Sequence, residues 1–222
     1  MQIAPGTLIS ARALLFDMDG TLVDSTIAVE RVWNNWATSH GVSFSDVAHR
    51  MHGRRAIDIM RDLAPPGIDL EKELKIVDDN ELNDTDGIVH ISGAAELLAS
   101  LPKGRWALVT SAQRSLACAR MAAGGLPLPE VIVTSDDVSL GKPNPDCYQL
   151  ALERLGLLPE DVVVFEDALA GLAAGRAAGC RTVAIATTIP TEDLDHEDWL
   201  YDLSRLRLES LTDNGLMHFR VR

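Results

Sequence analysis

Two aspartates separated by one residue are the part of the chain that most clearly suggests chemistry. Asp17 and Asp19 follow the apolar run 13–16 and precede a Gly20-Thr21 pair. Such a run is typical of a buried strand, and carboxylates just after it lie at the carboxyl edge of an α/β sheet, where ligands usually bind. Like charges this close raise the pKa of one acid unless a cation neutralises them. The pair therefore indicates a shared-proton dyad, half of a Mg²⁺ site or simply an acidic turn.

Two further segments after predicted strands could bind phosphate. Thr110 and Ser111 follow the apolar run 106–109, and a hydroxyl with consecutive N–H groups near a helix start can bind phosphate oxygens. Lys142 precedes the proline-stiffened stretch 143–146, which would hold its ammonium group in a fixed place. A capped helix alone would also explain the first segment, and a surface lysine the second.

A second acidic pair follows a further apolar run. Glu166 and Asp167 come directly after residues 162–165, and a helical pattern begins just beyond them. Because the carboxyl ends of parallel strands meet at one edge of a sheet, these acids could complete a metal site begun by the first pair.

Short apolar runs alternate with longer segments of helical spacing along most of the chain. This alternation predicts an α/β fold with a Rossmann-like, doubly wound parallel sheet and helices on both faces. The Asn-Gly turn near the C-terminus predicts a hairpin. The predicted strands are 13–16, 106–109, 131–133, 162–165 and 182–186, the predicted helices include 94–101, 115–123, 146–155 and 168–178, and the hairpin spans 206–221.

Residues 25–90 differ from the rest, because their apolar residues fall at helical intervals and no strand-like run is found among them. We expect a helical cap domain here, inserted into an α/β core domain made of residues 1–24 and 91–222. Trp33 and Trp36 are expected in the core of the cap. A cap on two connections could close over the sheet edge and exclude water, although a static helical lobe is the alternative.

Composition narrows the classes of partner. The 222 residues are 46% hydrophobic, enough for a full core, and the formal net charge of −13 argues against nonspecific nucleic-acid binding and against attraction to anionic membranes. The three cysteines show no metal-ligand spacing, and no export or membrane-spanning segment is recognisable. A cytoplasmic monomer is expected.

The order of the four polar segments resembles the four motifs of the haloacid dehalogenase-like hydrolase superfamily. The segments are Asp-x-Asp-Gly-Thr at 17–21, Thr-Ser at 110–111, Gly-Lys-Pro-x-Pro-Asp at 141–146 and Glu-Asp-Ala-x-Ala-Gly at 166–171. Within the superfamily the chain is most similar to small sugar-phosphate and polyol-phosphate phosphatases, the group of the 2-deoxyglucose-6-phosphatases and glycerol-3-phosphatases. The resemblance implies a phosphatase whose partner is a small phosphorylated sugar or polyol.

The same resemblance implies roles for the motif residues. Asp17 would be the nucleophile that forms an aspartyl-phosphate, and Asp19 the general acid and base. Thr110 and Lys142 would be catalytic and would hold phosphoryl oxygens together with the N–H groups near Ser111.

A magnesium site is implied as well. Asp17, the backbone carbonyl of Asp19 and Asp167 would bind Mg²⁺, with Glu166 supporting these ligands rather than binding the ion. Substrate selection would rest with the cap, where Arg54 is the candidate contact and Arg55 an alternative.

Two other functions are weighed. A β-phosphoglucomutase shares the fold and motifs that the resemblance implies, but such mutases have a histidine in the first cap helix where this chain has Val29. A noncatalytic binding module would not need to keep all five of the groups Asp17, Asp19, Thr110, Lys142 and Asp167. Both alternatives are less favoured than a phosphatase.

Overall fold

The computed structural model describes residues 1–222 and contains eleven strands and eight α-helices. The strands are β1 Leu8–Ala11, β2 Ala13–Phe16, β3 Val23–Asp24, β4 Val89–His90, β5 Trp106–Val109, β6 Val131–Val133, β7 Val162–Glu166, β8 Arg181–Ile185, β9 Trp199–Leu200, β10 Leu206–Leu211 and β11 Met217–Val221. The helices are α1 Thr26–His40, α2 Phe44–Met51, α3 Ala56–Leu63, α4 Leu70–Asn83, α5 Ala94–Ser100, α6 Arg114–Ala123, α7 Asp146–Leu155 and α8 Leu169–Ala177.

The central sheet has six strands in the order β6-β5-β2-β7-β8-β9, and every neighbouring pair is parallel. This confirms the predicted parallel sheet. Strand β2 lies between β5 and β7, so the chain segments that leave these three strands emerge side by side. Asp17, Thr110 and Asp167 all stand just after one of these strands, which is why residues far apart in sequence reach one edge of the sheet.

Alternate residues of the central strands pack against opposite faces of the sheet. Leu14 and Phe16 of β2 belong to one apolar cluster, with residues of α5 and α6, whereas Ala13 and Leu15 belong to another, with residues of α7 and α8. Side chains alternate across a strand, and both faces of β2 are buried, so the strand is apolar throughout. The doubly wound arrangement is therefore confirmed.

A three-stranded antiparallel sheet in the order β1-β11-β10 covers part of the first layer. The predicted C-terminal hairpin is confirmed by the pairing of β10 with β11. Strand β1 was not among the predicted strands. Its partner is β11, with Leu8 opposite Arg220. Because the two strands are far apart in sequence, the only local sign of β1 is the alternation of exposed and buried residues over four positions.

Helices α1 to α4, which we call the cap helices, have an apolar cluster of their own. Trp33 and Trp36 are buried in it, as expected, together with residues from the other three cap helices. The chain enters and leaves this region through β3 and β4, which pair antiparallel. The prediction that residues 25–90 contain no strand is thus wrong at Val89–His90, which form β4. The domain boundaries themselves stay a prediction.

None of the eight α-helices combines the length and the apolar character that crossing a bilayer requires.

Candidate active site

A cavity of about 240 Å³ lies between the carboxyl edge of the central sheet and the cap helices. From the sheet side it is lined by Asp17, Asp19, Thr110 and Ser111, and from the cap side by residues that include Val29, Trp33, His52, Gly53, Arg54, Arg55, Asp78 and Glu81. Two predicted site residues, Lys142 and Asp167, are buried behind this surface. A concave space of this size with convergent polar groups is suited to a small molecule.

Asp17 is fixed by the backbone and by a buried lysine. Its N–H donates to the carbonyl of Phe165 at 3.0 Å, which extends the β2–β7 pairing by one residue. Lys142 Nζ donates to Asp17 Oδ1 at 2.5 Å and to the carbonyl of Val109 at 3.1 Å. Burial lowers the pKa of Lys142, but the charges of Asp17 and Glu166 outweigh it and raise that pKa overall, so the ammonium stays charged.

Glu166 is the second carboxylate bound by Lys142. Its Oε1 accepts from Lys142 Nζ at 2.5 Å and from Tyr148 Oη at 2.9 Å, and its Oε2 accepts from the N–H groups of Asp167 and Ala168 at 3.2 and 3.3 Å. Both oxygens are therefore engaged with protein donors. An added Cβ at Gly171 would lie 1.8 Å from Glu166 Oε1, so the first turn of α8 must have a glycine there to leave room for the carboxylate.

Asp167 is held by hydroxyl groups. Thr188 Oγ1 donates to its Oδ2 at 2.8 Å, and Thr21 Oγ1 donates to its Oδ1 at 3.4 Å. Gly20 lies against the same carboxylate with φ of 80°, and a Cβ there would come within 2.1 Å of Asp167 Oδ2. The glycine of the first motif is thus required both for a left-handed backbone and for the close approach of two chain segments.

The three buried carboxylates are the groups that could hold a metal ion. Asp17, Glu166 and Asp167 can place one oxygen each within 4.8 Å of the others. Burial, followed by the charge of Glu166, raises the pKa of Asp17 well above its ordinary value and that of Asp167 to about 8. Three carboxylates next to one ammonium leave negative charge unbalanced, and a divalent cation with oxygen ligands would balance it. The residues present therefore fit such an ion.

Asp19 faces the cavity but is not part of this buried group. Ser25 Oγ donates to its Oδ1 at 2.6 Å, and Arg120 Nη1 donates to its Oδ2 at 2.9 Å. The side chain of Asp19 is 30% exposed, whereas that of Asp17 is 4% exposed. The two aspartates of the first motif thus have different surroundings, and only one of them contacts the lysine.

The segment after β5 presents a hydroxyl and one free backbone N–H group. Thr110 is buried, and its Oγ1 accepts from the N–H of Ala112 at 3.1 Å. Ser111 Oγ donates to the carbonyl of Gly53 at 2.9 Å, so this hydroxyl joins the sheet edge to the cap. The N–H of Ser111 donates to no group of the protein and borders the cavity.

Both candidate cap arginines line the cavity and are paired with acids. Arg54 Nη1 donates to Asp62 Oδ2 at 2.9 Å. Arg55 donates to both oxygens of Asp58 and to the carbonyl of Ser139. Neither guanidinium is a free positive charge at the cavity wall.

Sequence reasoning missed several site residues, among which Arg120 and Glu81 are the most consequential. Arg120 lies four residues after Leu116 on α6, next to Met121, so it is a charge within the apolar face of an amphipathic helix. That misplaced charge was a readable signal. Glu81 had no comparable signal, because acids are common along α4. Thr188 and Tyr148 were also missed as site residues, since each acts through one hydroxyl outside the four motif segments.

The chain is similar in sequence to proteins of known activity. A family model described as haloacid dehalogenase-like hydrolase matches residues 11–179. Hexitol phosphatase A from Escherichia coli K12 is 43% identical over 191 residues, which cover 84% of this chain and 88% of that protein. Glycerol-1-phosphate phosphohydrolase 1 from Saccharomyces cerevisiae is 36% identical over 194 residues, which cover 82% and 76%.

Solved structures show the same fold. β-Phosphoglucomutase from Clostridium difficile superposes with a TM-score of 0.77 at 17% identity, covering 89% of this chain and 93% of that one.

Proposed function

Because the chain belongs to the haloacid dehalogenase-like hydrolase family and to its group of sugar- and polyol-phosphate phosphatases, we propose that this phosphatase is Mg²⁺-dependent and acts through an aspartyl-phosphate on Asp17. The proposed substrates are small phosphorylated sugars and polyols, with hexitol and glycerol phosphates first among them. The observation that carries the proposal is the pairing of a buried Asp17 with Lys142 at the base of a small cavity, beside a differently held Asp19.

In the first half of the reaction Asp17 attacks the phosphorus in line. Lys142 bonds to one oxygen of the carboxylate, and the other, which accepts no hydrogen bond, is free to form the new bond. The ammonium of Lys142 is already bonded to Asp17, Glu166 and the carbonyl of Val109, so it stabilises the negative charge on the transferred phosphoryl group through its own charge, whereas the unpaired N–H groups of Asp19 and Ser111 can donate to that group. This local set of donors offsets the overall charge of −13, which would otherwise repel an anionic substrate.

Asp19 carries the protons. It enters the first step protonated and gives that proton to the leaving alkoxide as the bond between phosphorus and oxygen breaks. It then takes a proton from the water that hydrolyses the aspartyl-phosphate, which restores the acid. Asp17 cannot also transfer these protons, because its carboxylate becomes the acyl part of the intermediate. The position of Asp19 at the cavity wall, away from Lys142, suits this second role.

Hydrolases of this family generally use a divalent metal ion. Asp17, Asp167 and the backbone carbonyl of Asp19 would hold Mg²⁺, and Glu166 would orient Lys142 because both of its oxygens are already engaged. When bound, the ion neutralises negative charge on the phosphate and the carboxylates that must approach each other.

The test is release of inorganic phosphate from a panel of phosphorylated hexitols, hexoses and glycerol, with Mg²⁺ and with EDTA. We expect turnover that needs Mg²⁺, and acid-quenched protein that carries a phosphoryl label on Asp17. Asp17→Asn should abolish both, whereas the same change at Asp213, exposed in the hairpin turn, should alter neither. Full turnover by Asp17→Asn would refute the mechanism.

The same panel includes glucose 1-phosphate to separate hydrolysis from isomerisation. Val29 lines the cavity where the mutases that the chain resembles have a histidine, and a valine cannot transfer a proton. We therefore expect free phosphate. An isomeric sugar phosphate formed without free phosphate would instead identify a mutase.

A further inference from the structure

Arg120 is a buried charge that joins the candidate acid to the cap helices. It lies on α6 beside the apolar residues Ala117 and Met121 and is 4% exposed. Nη1 donates to Asp19 Oδ2 at 2.9 Å, and Nη2 lies 3.3 Å from Glu81 Oε1. Burying a guanidinium is costly unless it is paired. The pairing of Arg120 rests on these two carboxylates, because its buried Nε has no hydrogen-bond partner.

Glu81 ties this arginine to two of the cap helices. It is a buried residue of α4, and its Oε1 also accepts from Trp33 Nε1 of α1 at 3.2 Å. Burial raises the pKa of Glu81, and the positive charge of Arg120 opposes that shift. The two buried side chains therefore stabilise each other's charged forms.

The other oxygen of Asp19 is bonded to the start of the cap. Ser25 directly precedes α1, and its Oγ donates to Asp19 Oδ1 at 2.6 Å. Both oxygens of Asp19 are thus bonded to groups that adjoin the cap helices: Ser25 directly precedes α1, and Arg120 also contacts Glu81 of α4.

We propose that Arg120 is a positioning residue for the reaction, which with Glu81 sets Asp19 in place while the cap helices cover the cavity. The inference rests on the proposed function, because it concerns the proton transfers of Asp19. Displacing a catalytic carboxyl group by about 1 Å slows the reaction roughly 10²-fold. Hydrogen bonds that fix both oxygens of Asp19 therefore increase the rate of proton transfer. Cap and acid then act together: substrate that holds the cap closed also holds the acid in position.

The experiment compares two leaving groups in single turnover with Arg120→Met. A hexitol phosphate needs a proton on its leaving alkoxide, whereas acetyl phosphate releases acetate as an anion and needs none. We expect formation of the aspartyl-phosphate from the hexitol phosphate to slow about 10²-fold. Its formation from acetyl phosphate should stay within about threefold of wild type, and the labelled protein should accumulate because water activation also needs Asp19.

Matched variants distinguish positioning from a general effect. Arg114→Met removes an arginine from the same helix, one that pairs with Asp137 and does not line the cavity, and should leave both rates unchanged. Arg120→Lys, which can reach one carboxylate, should recover part of the loss. In an Asp19→Asn background, Arg120→Met should cost nothing further, because both changes act on one group.

Three results would overturn the inference. Equal loss with both leaving groups would mean that Arg120 supports the structure or the phosphate site. A raised KM with unchanged kcat would make it a substrate contact, and additive losses in the Asp19→Asn background would show that it acts elsewhere. A wild-type protein that releases no phosphate from any ester would refute the proposed function itself, which is a different outcome.

Discussion

At the scale of single residues, the site combines buried charges that would each be unfavourable alone. The side chain of Lys142 is 1% exposed, and its ammonium donates to both Asp17 and Glu166 at 2.5 Å each. Removing one member of such a group is strongly destabilising, because the remaining charge is left buried without a partner. Glu166 is equally constrained, with four donors on its two oxygens. The residues that would do the chemistry therefore also hold the sheet edge together.

Asp137 provides a pH-dependent contribution to stability outside this group. Burial alone would raise its pKa, but hydrogen bonds from Arg154 and Thr134 lower it to about 2. Because the folded pKa lies below the ordinary value of 3.8, the stabilisation is present above about pH 4 and is lost as the pH falls towards 2.

We therefore expect Asp137→Asn to lower the free energy of unfolding in urea at pH 7 by more than at pH 3. The exposed Asp213→Asn should show no such pH-dependent difference. A deficit for Asp137→Asn that stayed constant between pH 7 and pH 3 would contradict this assignment.

At the scale of elements, one loop brings the cap into contact with the sheet edge. Gly53 follows α2 with φ of 71°, and an added Cβ there would lie 2.6 Å from the Cβ of Ala168. Its carbonyl accepts from Ser111 Oγ at 2.9 Å. The segment between α2 and α3 thus meets the residues after β5 and β7 at one point, and the covered cavity depends on this contact.

Gly53→Ala should weaken catalysis more than stability. The new methyl group would push the loop away from Ala168 and break the contact with Ser111, so we expect kcat/KM for a polyol phosphate to fall by about tenfold or more. Gly67→Ala is the matched control: it has φ of 89° in another cap loop, but nothing lies within 4 Å of the added Cβ. Both variants bear the backbone strain, so equal losses of kcat/KM would show that the contact is irrelevant.

The pairing of the cap arginines predicts selection by charge. Arg54 and Arg55 are bonded to Asp62 and Asp58, so a second phosphate on the substrate would meet no free cation at the cap wall. We expect hexitol monophosphates to be preferred over sugar bisphosphates in kcat/KM. Asp62→Asn frees Arg54 from a partly exposed pair and should raise kcat/KM for a bisphosphate by up to about fivefold.

The control for this change is Asp46→Asn, which removes the same charge from α2 at an exposed site away from the cavity. If it raised bisphosphate turnover as much as Asp62→Asn, the effect would reflect the overall charge of the protein rather than Arg54.

At the scale of the whole molecule, local patterns predicted the core well and long-range contacts poorly. Strands β2, β5 and β6 lie at the predicted residues, because buried parallel strands are continuous apolar runs. Strand β1 pairs with the far end of the chain, and the contact of Arg120 with Glu81 joins α6 to α4. Such contacts depend on how distant elements pack against each other, and the spacing of residues in the sequence does not predict that packing. Asp17, Thr110 and Asp167 could be recognised because each directly follows a strand, whereas Lys142 was recognised from the prolines beside it.

The proposed metal site is also a whole-molecule feature, because it joins the segments after β2 and β7. An ion that binds the folded state alone stabilises it by about 2.7 kcal/mol at a concentration 100 times Kd. For a protein of this size we therefore expect Mg²⁺ to raise Tm by several °C and EDTA to reverse the rise. Asp167→Asn should abolish the Mg²⁺-dependent part, whereas Asp213→Asn, on the exposed hairpin turn, should keep it. A Tm that did not respond to Mg²⁺ in the wild-type protein would exclude tight binding here, whatever the activity assays showed.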